Sequence, residues 1–378
     1  MEPERLQSLR ALFPIVNRFV YFNNASTGPL PTTARKALDE FLRRSSEEGE
    51  IPYPECEAVV EETRGLAARL MHVKPEEIAF TRNASSGIII AIGSIGWRKG
   101  DNLVMMKDAF PADYYPYHYL LPEVEKRYVT STELAEGPDC VFRLVDRHTR
   151  AVALDWVHFV SGIRADIQAI AEFCRPLGVR FLVDATQGLG VVDLDFSKVG
   201  ADFTCSSACK WLLSPQGIAI LRVNPETLPN LRPYNLGWLS ARWEEFNDIF
   251  TLKELKPGAG RFEEGTRNYL GIYGLHESLK LLLDIGLPAV GARIRALNDL
   301  LRRRLVELDF EILTPEEPGR SAGFISGRKP GADMAALHRR LTENRMICAL
   351  RANCLRIAPH FYNTEEEAGR FIEVLTAC

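Results

Sequence analysis

Val179-Arg-Phe-Leu-Val-Asp-Ala-Thr-Gln187 is the stretch of sequence that decides the fold. Its first five residues are almost all apolar, which is typical of a parallel strand buried on both faces. A helical segment at 166–174 precedes it, and Gly178 ends that segment. Similar short apolar runs, predicted as strands, occur at 78–81, 102–106, 151–157 and 218–223. The alternation with helical segments predicts an α/β fold with a mostly parallel central sheet flanked by helices.

The pattern changes to longer helices from about Gly271 onward. Apolar residues recur there at helical spacing, at Val290, Ile294, Leu297, Leu301 and Leu305. Short apolar segments at 310–313, 321–325 and 355–357, with a closing helix at 365–375, predict a smaller α+β C-terminal domain. We expect an N-terminal arm over residues 1–20 that packs on the small domain, a large domain over 21–265, and the small domain over 266–378.

Composition excludes several classes of protein. The chain of 378 residues has 46 Lys and Arg against 50 Asp and Glu, a formal net charge of −4, and a pI of about 6.1. No basic surface for nucleic acid is expected from that balance. The longest stretch without a charge, 83–97, is too short and too polar for a membrane span. Eight Cys without a CxxC pair favour reduced thiols and a cytoplasmic protein.

Two polar side chains stand where a ligand site is expected. In an open α/β sheet, ligands bind beyond the carboxyl ends of the strands. Asp184 ends a predicted strand, and an Asp there can hold a proton on a pyridinium nitrogen. Lys210 stands among small and apolar residues in Cys205-Ser-Ser-Ala-Cys-Lys-Trp-Leu-Leu213. Desolvation lowers the pKa of a lysine, and a neutral amine forms a Schiff base with an aldehyde.

Each of these residues also has an ordinary structural interpretation. Asp184 alone would suit the cap of a turn, and Lys210 alone would suit a side chain that extends along a sheet edge into water. Together, at the ends of two strands, they favour one cofactor, pyridoxal 5′-phosphate (PLP).

The sequence around these residues resembles the class V, cysteine desulfurase-like group of fold-type I PLP-dependent aminotransferases. Beyond the two segments already quoted, the matching runs are Tyr21-Phe-Asn-Asn-Ala-Ser-Thr-Gly-Pro29, Gly200-Ala-Asp-Phe-Thr204, Glu264-Gly-Thr266 and Leu355-Arg-Ile-Ala-Pro-His-Phe-Tyr-Asn-Thr364. Phe110-Pro-Ala-Asp-Tyr-Tyr-Pro116 and the run that ends at Thr364 resemble the isopenicillin N epimerase-like branch. The resemblance covers nearly the whole chain and implies a fold-type I transferase fold.

The resemblance also implies roles for individual residues. Lys210 would form the Schiff base with PLP and move the α-proton of the substrate. Asp184 would pair with the pyridine nitrogen, and Gln187 would donate to the phenolate oxygen. Phe110 would stack on the ring. The phosphate would be bound by the loop that opens a helix and by a hydroxyl near the lysine, a set that comprises Asn83, Ala84, Ser85 and Ser207.

Further implied roles concern the substrate and the second subunit. Arg356 matches the arginine that binds the substrate α-carboxylate, and Ser26 matches the loop beside it. Thr266 matches a loop that reaches the phosphate in the neighbouring subunit, which implies a homodimer. Four aromatic residues are candidates to line the side-chain pocket of the substrate, namely Tyr114, Tyr115, Tyr117 and Trp238.

Three departures from the family pattern bear on the reaction. Cys209 stands where desulfurases carry a histidine. His158 stands where many relatives carry an asparagine near the phenolate oxygen, so either His158 replaces it or that contact is lost. Cys348 and Cys354 lie in or next to predicted strands, whereas a persulfide-forming thiol needs exposure. Cysteine desulfuration is therefore disfavoured.

We expect an aminotransferase that moves an amino group from an amino acid to a keto acid. Racemisation or epimerisation and β-elimination are alternatives within the family, and a non-catalytic binding protein is an alternative of another class. Ser207-Ala-Cys-Lys210 also fits the S-x-x-K motif of penicillin-binding enzymes, but the companion motifs are absent. No metalloprotease, P-loop or dinucleotide motif occurs, and no metal site is expected.

Overall fold

The computed structural model describes residues 2–244, 247–317 and 319–376. Its strands are β1 (Val20–Tyr21), β2 (Ile78–Thr81), β3 (Asn102–Met106), β4 (Glu125–Val129), β5 (Thr149–Asp155), β6 (Arg180–Asp184), β7 (Phe203–Ser207), β8 (Ala219–Val223), β9 (Glu311–Ile312), β10 (Ile325–Arg328), β11 (Met346–Ile347), β12 (Ala349–Arg351) and β13 (Cys354–Ile357). Its α-helices are α1 (Pro3–Arg10), α2 (Thr32–Glu47), α3 (Tyr53–Met71), α4 (Ala84–Ser94), α5 (Tyr115–Tyr119), α6 (Ser131–Glu136), α7 (Asp139–Phe142), α8 (Ile167–Cys174), α9 (Tyr269–Ile285), α10 (Leu287–Glu307), α11 (Met334–Glu343) and α12 (Glu365–Thr376). Within those three ranges, no helix combines the length and the apolar character that crossing a membrane requires.

A seven-stranded sheet forms the centre of the molecule, in the order β2-β8-β7-β6-β5-β3-β4. Only β8 runs antiparallel to its neighbours in this sheet. Strand β6 is buried on both faces, because Phe181 and Val183 pack into one apolar core and Leu182 into a second core on the other side. The predicted α/β fold with a mostly parallel sheet is thereby confirmed.

The parallel strands bring several polar residues to one edge of this sheet. Asp155 at the end of β5 lies opposite Asp184 at the end of β6. Asp184 in turn lies opposite Cys205 of β7, and β7 ends two residues later at Ser207. Because parallel strands share the direction of their carboxyl ends, the residues that follow them converge on one site.

A second, antiparallel sheet of four strands lies in the C-terminal part of the chain, in the order β12-β13-β10-β9. It carries Arg356 on β13. The strand predicted at 321–325 is wrong, since β10 begins only at Ile325. The physical reason is Gly323, whose φ of +80° turns the chain where a Cβ would lie 2.8 Å from Trp211.

The N-terminal segment contacts the C-terminal part of the chain. Arg10, at the end of α1, forms an ion pair of 3.0 Å with Glu367 and donates a hydrogen bond to the carbonyl of Tyr362. Strand β1 pairs in parallel with β11, with Val20 opposite Met346. The expected bounds of the arm and the two domains stay a prediction.

A buried ion network fixes the loop that carries Thr266. Glu263 is 2% exposed, and its carboxylate lies 2.9 Å from Arg64, 2.7 Å from Arg267 and 2.9 Å from the amide nitrogen of Phe80. Burial alone would raise the pKa of Glu263, but the two guanidinium groups and the hydrogen bonds outweigh it and lower the pKa to about 2. The carboxylate is therefore charged over the whole neutral range.

Replacing Glu263 with Gln is expected to destabilise the protein by about 3–5 kcal/mol, because two buried guanidinium groups lose their counter-charge. Since folding lowers the pKa of Glu263, its contribution is present above about pH 4.5 and is lost as the pH falls towards about 2. Urea unfolding across that range measures the difference between the two proteins. Asp39→Asn, which breaks an exposed ion pair with Arg35, should change stability by less than about 1 kcal/mol. Equal effects of the two variants would contradict the prediction.

Candidate active site

Lys210 is held by a tight turn directly after β7. Its carbonyl oxygen accepts a hydrogen bond of 3.1 Å from the amide of Leu213, whose φ of 56° is unusual for a residue other than glycine. On the opposite side, the amide of Gly28 donates a 2.8 Å hydrogen bond to the carbonyl of Cys209. The side chain is half-buried, and its Nζ lies 5.3 Å from the centroid of the Phe110 ring.

A small pocket surrounds the lysine. The residues that line it are Phe110, Asp155, Val157, Phe159, Asp184, Thr186, Gln187 and Lys210. Four of these were predicted from the sequence as cofactor residues, and the structure brings them together. Asp155, Val157, Phe159 and Thr186 were missed. The strand predicted at 151–157 ends at Asp155 in the structure. A polar residue at the end of a strand could have indicated a site residue, but the longer predicted strand placed Asp155 in its interior.

The environment of Lys210 favours loss of its proton. Burial lowers the pKa of the amine, the carboxylate of Asp184 opposes this by raising it, and the charge of Arg356 lowers it again. The net effect is a pKa below the usual value for lysine. An amine attacks an aldehyde only in its unprotonated form, and a lowered pKa increases the fraction of that form at neutral pH.

Asp184 and Gln187 are oriented by hydrogen bonds to the protein, and each keeps a hydrogen-bonding group for a ligand. Asp184 Oδ1 accepts a 2.7 Å hydrogen bond from the amide of Thr186. The side-chain amide of Gln187 donates to the carbonyl of Ala25 at 2.9 Å and accepts from the indole of Trp211 at 2.8 Å. Because a primary amide has two N–H groups, Gln187 retains one for a ligand.

The predicted phosphate residues lie at the same edge of the sheet. Asn83 caps α4, and its Oδ1 accepts a 2.9 Å hydrogen bond from the amide of Ser86. The first turn of α4 packs closely on β7, since a Cβ on Gly87 would lie 2.8 Å from the sulfur of Cys205. Free amide groups at a helix N-terminus, with Ser85 beside them, suit a phosphate. Ser207 ends β7, and its amide donates to Thr186 Oγ1 at 3.1 Å.

The two predicted substrate residues contact each other. Arg356 Nη2 donates a 2.6 Å hydrogen bond to Ser26 Oγ, and Nη1 donates a 2.7 Å hydrogen bond to the carbonyl of Phe159. Arg356 is 2% exposed, and its Nε has no hydrogen-bond partner within the described part of the chain. Burial lowers the pKa of the guanidinium to about 9, so it is still a cation at neutral pH.

Other predicted site residues lie outside this pocket. Both ring nitrogens of His158 are engaged, Nδ1 with Ser161 Oγ at 2.8 Å and Nε2 with the carbonyl of Asp108 at 2.9 Å. Burial lowers the pKa of this histidine. Thr266 lines a separate cavity with Arg82 and Gly217.

The four aromatic candidates for the side-chain pocket do not line the pocket around Lys210 either. Tyr117 is buried, and its hydroxyl donates to Asp113 at 3.4 Å. Tyr115 is exposed, and Tyr114 stacks on His118 at 4.1 Å between ring centroids. Trp238 is exposed and its backbone carbonyl accepts from the indole of Trp243.

Gly28 is needed for the close approach of the N-terminal loop to the lysine turn. A Cβ at this position would lie 2.2 Å from the carbonyl oxygen of Lys210. Gly28→Ala is therefore expected to displace that turn, weaken retention of PLP, and destabilise the protein by about 1–3 kcal/mol. Gly65→Ala, in helix α3 where a Cβ has no atom within 4 Å, should stabilise the protein by about 0.5–1 kcal/mol. Thermal unfolding of both variants and the bound-cofactor absorbance measure these effects, and a neutral result for Gly28→Ala would contradict the prediction.

The residues around the pocket fit PLP. Lys210, Asp184 and Phe110 line the pocket together, and they would offer an amine to the aldehyde, a carboxylate to the pyridine nitrogen and an aromatic face to the ring, respectively. The N-terminus of α4 supplies amide donors suited to the phosphate. The buried Asp155 Oδ1 also has no hydrogen-bond partner in the described residues, as expected of a pocket built for a polar guest.

Comparison with known proteins agrees with the predicted family and fold. The sequence profile of the aminotransferase class-V family matches residues 20–371. The chain is 28% identical to the isopenicillin N epimerase of Streptomyces clavuligerus, over 95% of this chain and 94% of that protein. It is 25% identical to a probable cysteine desulfurase of Methanothermobacter thermautotrophicus, over 98% and 97% of the two chains.

A solved structure supports the same fold. A C-DES variant with glycine covalently linked to its PLP cofactor superimposes with a TM-score of 0.90 at 24% identity, over 97% of this chain and 98% of that one. The predicted fold-type I architecture and the predicted family are confirmed. The chain belongs to the class-V aminotransferase family, in its branch of desulfurases and epimerases, and is an enzyme with pyridoxal 5′-phosphate as cofactor.

Proposed function

We propose that this enzyme acts at the α-carbon of an amino acid and that its reaction is transamination to a keto acid. The observation that carries the proposal is a buried arginine that has no carboxylate partner in the described part of the chain and lies near a lysine with a lowered pKa. Arg356 and Lys210 lie close enough for their charges to affect each other, and Phe159 links them by lining the pocket and accepting from Arg356.

Arg356 is suited to bind the substrate carboxylate. A buried guanidinium is costly unless a negative group pairs with it, and no ion pair to Arg356 is formed within residues 2–244, 247–317 and 319–376. Its two present partners, Ser26 Oγ and the carbonyl of Phe159, orient the planar group without neutralising it. A carboxylate would complete the site by a bidentate ion pair.

Lys210 is suited to move the proton. When bound, PLP withdraws electrons from the substrate α-carbon and so acidifies its proton. Lys210 Nζ would remove that proton, and Asp184 would hold the pyridine nitrogen in its protonated form. Lys210 is the one amine or imidazole side chain among the pocket-lining residues of the described ranges. A single base on one side would carry the proton from Cα to a carbon of the cofactor along that same side, which is the shift that transamination requires.

Epimerisation is the second candidate, and one observation favours it. The chain matches an enzyme named isopenicillin N epimerase over nearly the full length of both proteins. Inversion at Cα requires proton delivery from the face opposite Lys210. β-Elimination is a further reaction of the same carbanion chemistry.

Cysteine desulfuration has less support from the thiols. Cys348 and Cys354 are buried, and burial raises the pKa of Cys348 to about 12. Among the cysteines of the described residues, Cys209 alone is not buried, and it contacts Ser207 Oγ at 3.4 Å. A persulfide-forming thiol needs exposure and a low pKa. Cys378 lies outside the described residues.

We also propose that the enzyme is a homodimer in the cytoplasm, with Thr266 at the neighbouring subunit's phosphate. The separate cavity that Thr266 lines supports this, as do exposed apolar residues on the segment before it, such as Leu236, Phe250 and Leu252. The cysteines of the described residues are free thiols, which suits a reducing compartment. Light scattering of the pure protein tests the dimer, and a monomer that retains activity would refute it.

One experiment separates the reactions. The holoenzyme is incubated in D₂O with each member of an amino-acid panel, with and without a keto acid. A new amino acid formed only with the keto acid supports transamination. Deuterium at Cα with inversion supports epimerisation, and ammonia released without the keto acid supports elimination. Turnover of no amino acid, with PLP bound, would support the non-catalytic binding protein.

A further inference from the structure

A second buried carboxyl group lies against Asp184. Asp113 ends the short 3₁₀ turn Pro111–Asp113 that follows Phe110, and it is 4% exposed. Asp155 is 5% exposed and lies opposite Asp184 on the neighbouring strand. Three carboxylates at such short range and with so little water cannot all carry a negative charge without a large electrostatic cost.

The contacts of Asp113 differ from those of its neighbours. Oδ1 accepts only a 3.4 Å hydrogen bond from Tyr117, and Oδ2 is buried without any donor in the described residues. Its side chain lies within reach of a hydrogen-bonded contact with Asp184. Two carboxyl groups can form such a contact only when one of them holds a proton. Because no group in the described residues donates to Oδ2, this oxygen is free to carry the hydrogen.

The surroundings assign the proton to Asp113. Burial raises its pKa well above the usual value, and the charges of Asp184 and Asp155 raise it further, while Tyr117 lowers it slightly. Burial and the charge of Asp184 also raise the pKa of Asp155 well above its usual value, but Asp155 has two stabilising partners that Asp113 lacks, the backbone amide of Phe110 and the charge of Lys210. Asp184 likewise interacts with the charge of Lys210 and accepts from the amide of Thr186.

The remaining groups that face Asp113 are neutral. Burial raises the pKa of Tyr117, on α5, and of Cys205, on β7. Helix α4, which packs against the 111–113 turn, contains no ionisable side chain. No cation in the described residues therefore compensates a negative charge on Asp113.

We propose that Asp113 is a positioning residue that keeps its proton at neutral pH and donates it to Asp184. Asp184 is then held by two donors, the Asp113 carboxyl and the amide of Thr186, and the pair carries one negative charge. The inference that this fixes Asp184 towards the pyridine nitrogen rests on the proposed function. The protonation of Asp113 itself does not.

The first test needs no cofactor. Full-length protein stripped of PLP is unfolded thermally between about pH 4 and pH 8, as wild type, Asp113→Asn and Asp113→Leu. Since folding raises the pKa of Asp113, wild-type stability is fully present below the unfolded value of about 3.9 and is lost as the pH rises towards the folded value. The Tm of Asp113→Asn relative to wild type should therefore rise by roughly 3 °C or more across the range.

Asp39→Asn, on the exposed face of α2, serves as the control and should show no such trend. A pH-independent difference between Asp113→Asn and wild type would show that Asp113 titrates normally and would overturn the proposal. This result is independent of whether the chain binds PLP.

The second test measures the donor role. Asn and Leu have the same number and branching of side-chain heavy atoms, but only Asn can donate a hydrogen bond to Asp184. Asp113→Asn should retain the wild-type dissociation constant for PLP, whereas Asp113→Leu should raise it about 10-fold or more. Equal affinities of the two variants would refute the positioning role. Absence of PLP binding by the wild type would instead refute the proposed function, and the pH dependence of Tm would still decide the protonation of Asp113.

Discussion

Lys210→Ala is expected to abolish the absorbance band of the Schiff base between the lysine and the cofactor and to lower kcat/KM by about 1,000-fold or more. In the proposed function the lysine supplies both the amine that attaches PLP and the base that moves the proton, so one substitution would remove two functions. The amine is half-buried, and burial lowers its pKa. Both attachment of the aldehyde and removal of a proton require the unprotonated amine. Absorbance between about 380 and 430 nm, with and without added PLP, gives the measurement.

Cys209→Ala is the matched control for this substitution. Cys209 precedes the lysine in the same turn, and its sulfur contacts only Ser207 Oγ among side chains of the described residues. We expect this variant to retain the absorbance and most of the activity. If Lys210→Ala kept a wild-type visible band, another group would have to bind the aldehyde, and the assignment of the site would fail.

Arg356→Ala is expected to lower kcat/KM by about 100-fold or more, mainly through a higher KM, while the cofactor absorbance stays unchanged. The loss corresponds to about 3 kcal/mol for a buried, bidentate ion pair with the substrate carboxylate. Arg356→Lys keeps the charge but loses the planar pair of donors, so an intermediate loss is expected. Steady-state kinetics with the best amino acid of the panel provides the values.

The nearby Arg351 offers the control for this prediction. It ends β12, the neighbour of β13, and its side chain is exposed. Arg351→Ala should leave KM within about twofold of wild type, since the charge of an exposed side chain is largely screened by solvent and salt. An equal change of KM in both variants would mean that Arg356 acts only through the overall positive charge of this region and does not bind the substrate carboxylate.

The sequence predicts the large sheet well because its strands are buried on both faces. Strands at 78–81 and 102–106 have the predicted bounds, and 180–184 differs from its prediction by one residue. Strand β4 was not predicted, since Glu125, Lys126 and Arg127 give it the polarity of a loop. It lies at the edge of the sheet, where exposed charges are tolerated.

Site residues can be predicted from the sequence when the residue type and its position, at the end of a strand or in a family motif, together indicate a particular chemical role. Asp184 and Lys210 follow strands directly, and Arg356 and Ser26 lie in family motifs. Asp113 and Asp155 were not identified, because their role depends on contacts between separate segments that no spacing reveals. The engagement of both His158 nitrogens likewise depends on Asp108 and Ser161 in three dimensions.

The N-terminal loop after β1 contacts both halves of the pocket. Ser26 Oγ accepts from Arg356, and two residues later the amide of Gly28 donates to the turn that holds Lys210. This short loop acts as a spacer that sets how far the guanidinium lies from the amine. A substrate must bridge that interval with its own backbone, so β- and γ-amino acids, whose carboxylate lies one or two carbons farther from the amino group, should react poorly. Under the proposed function, the first thirty residues would therefore contribute to discrimination by chain length.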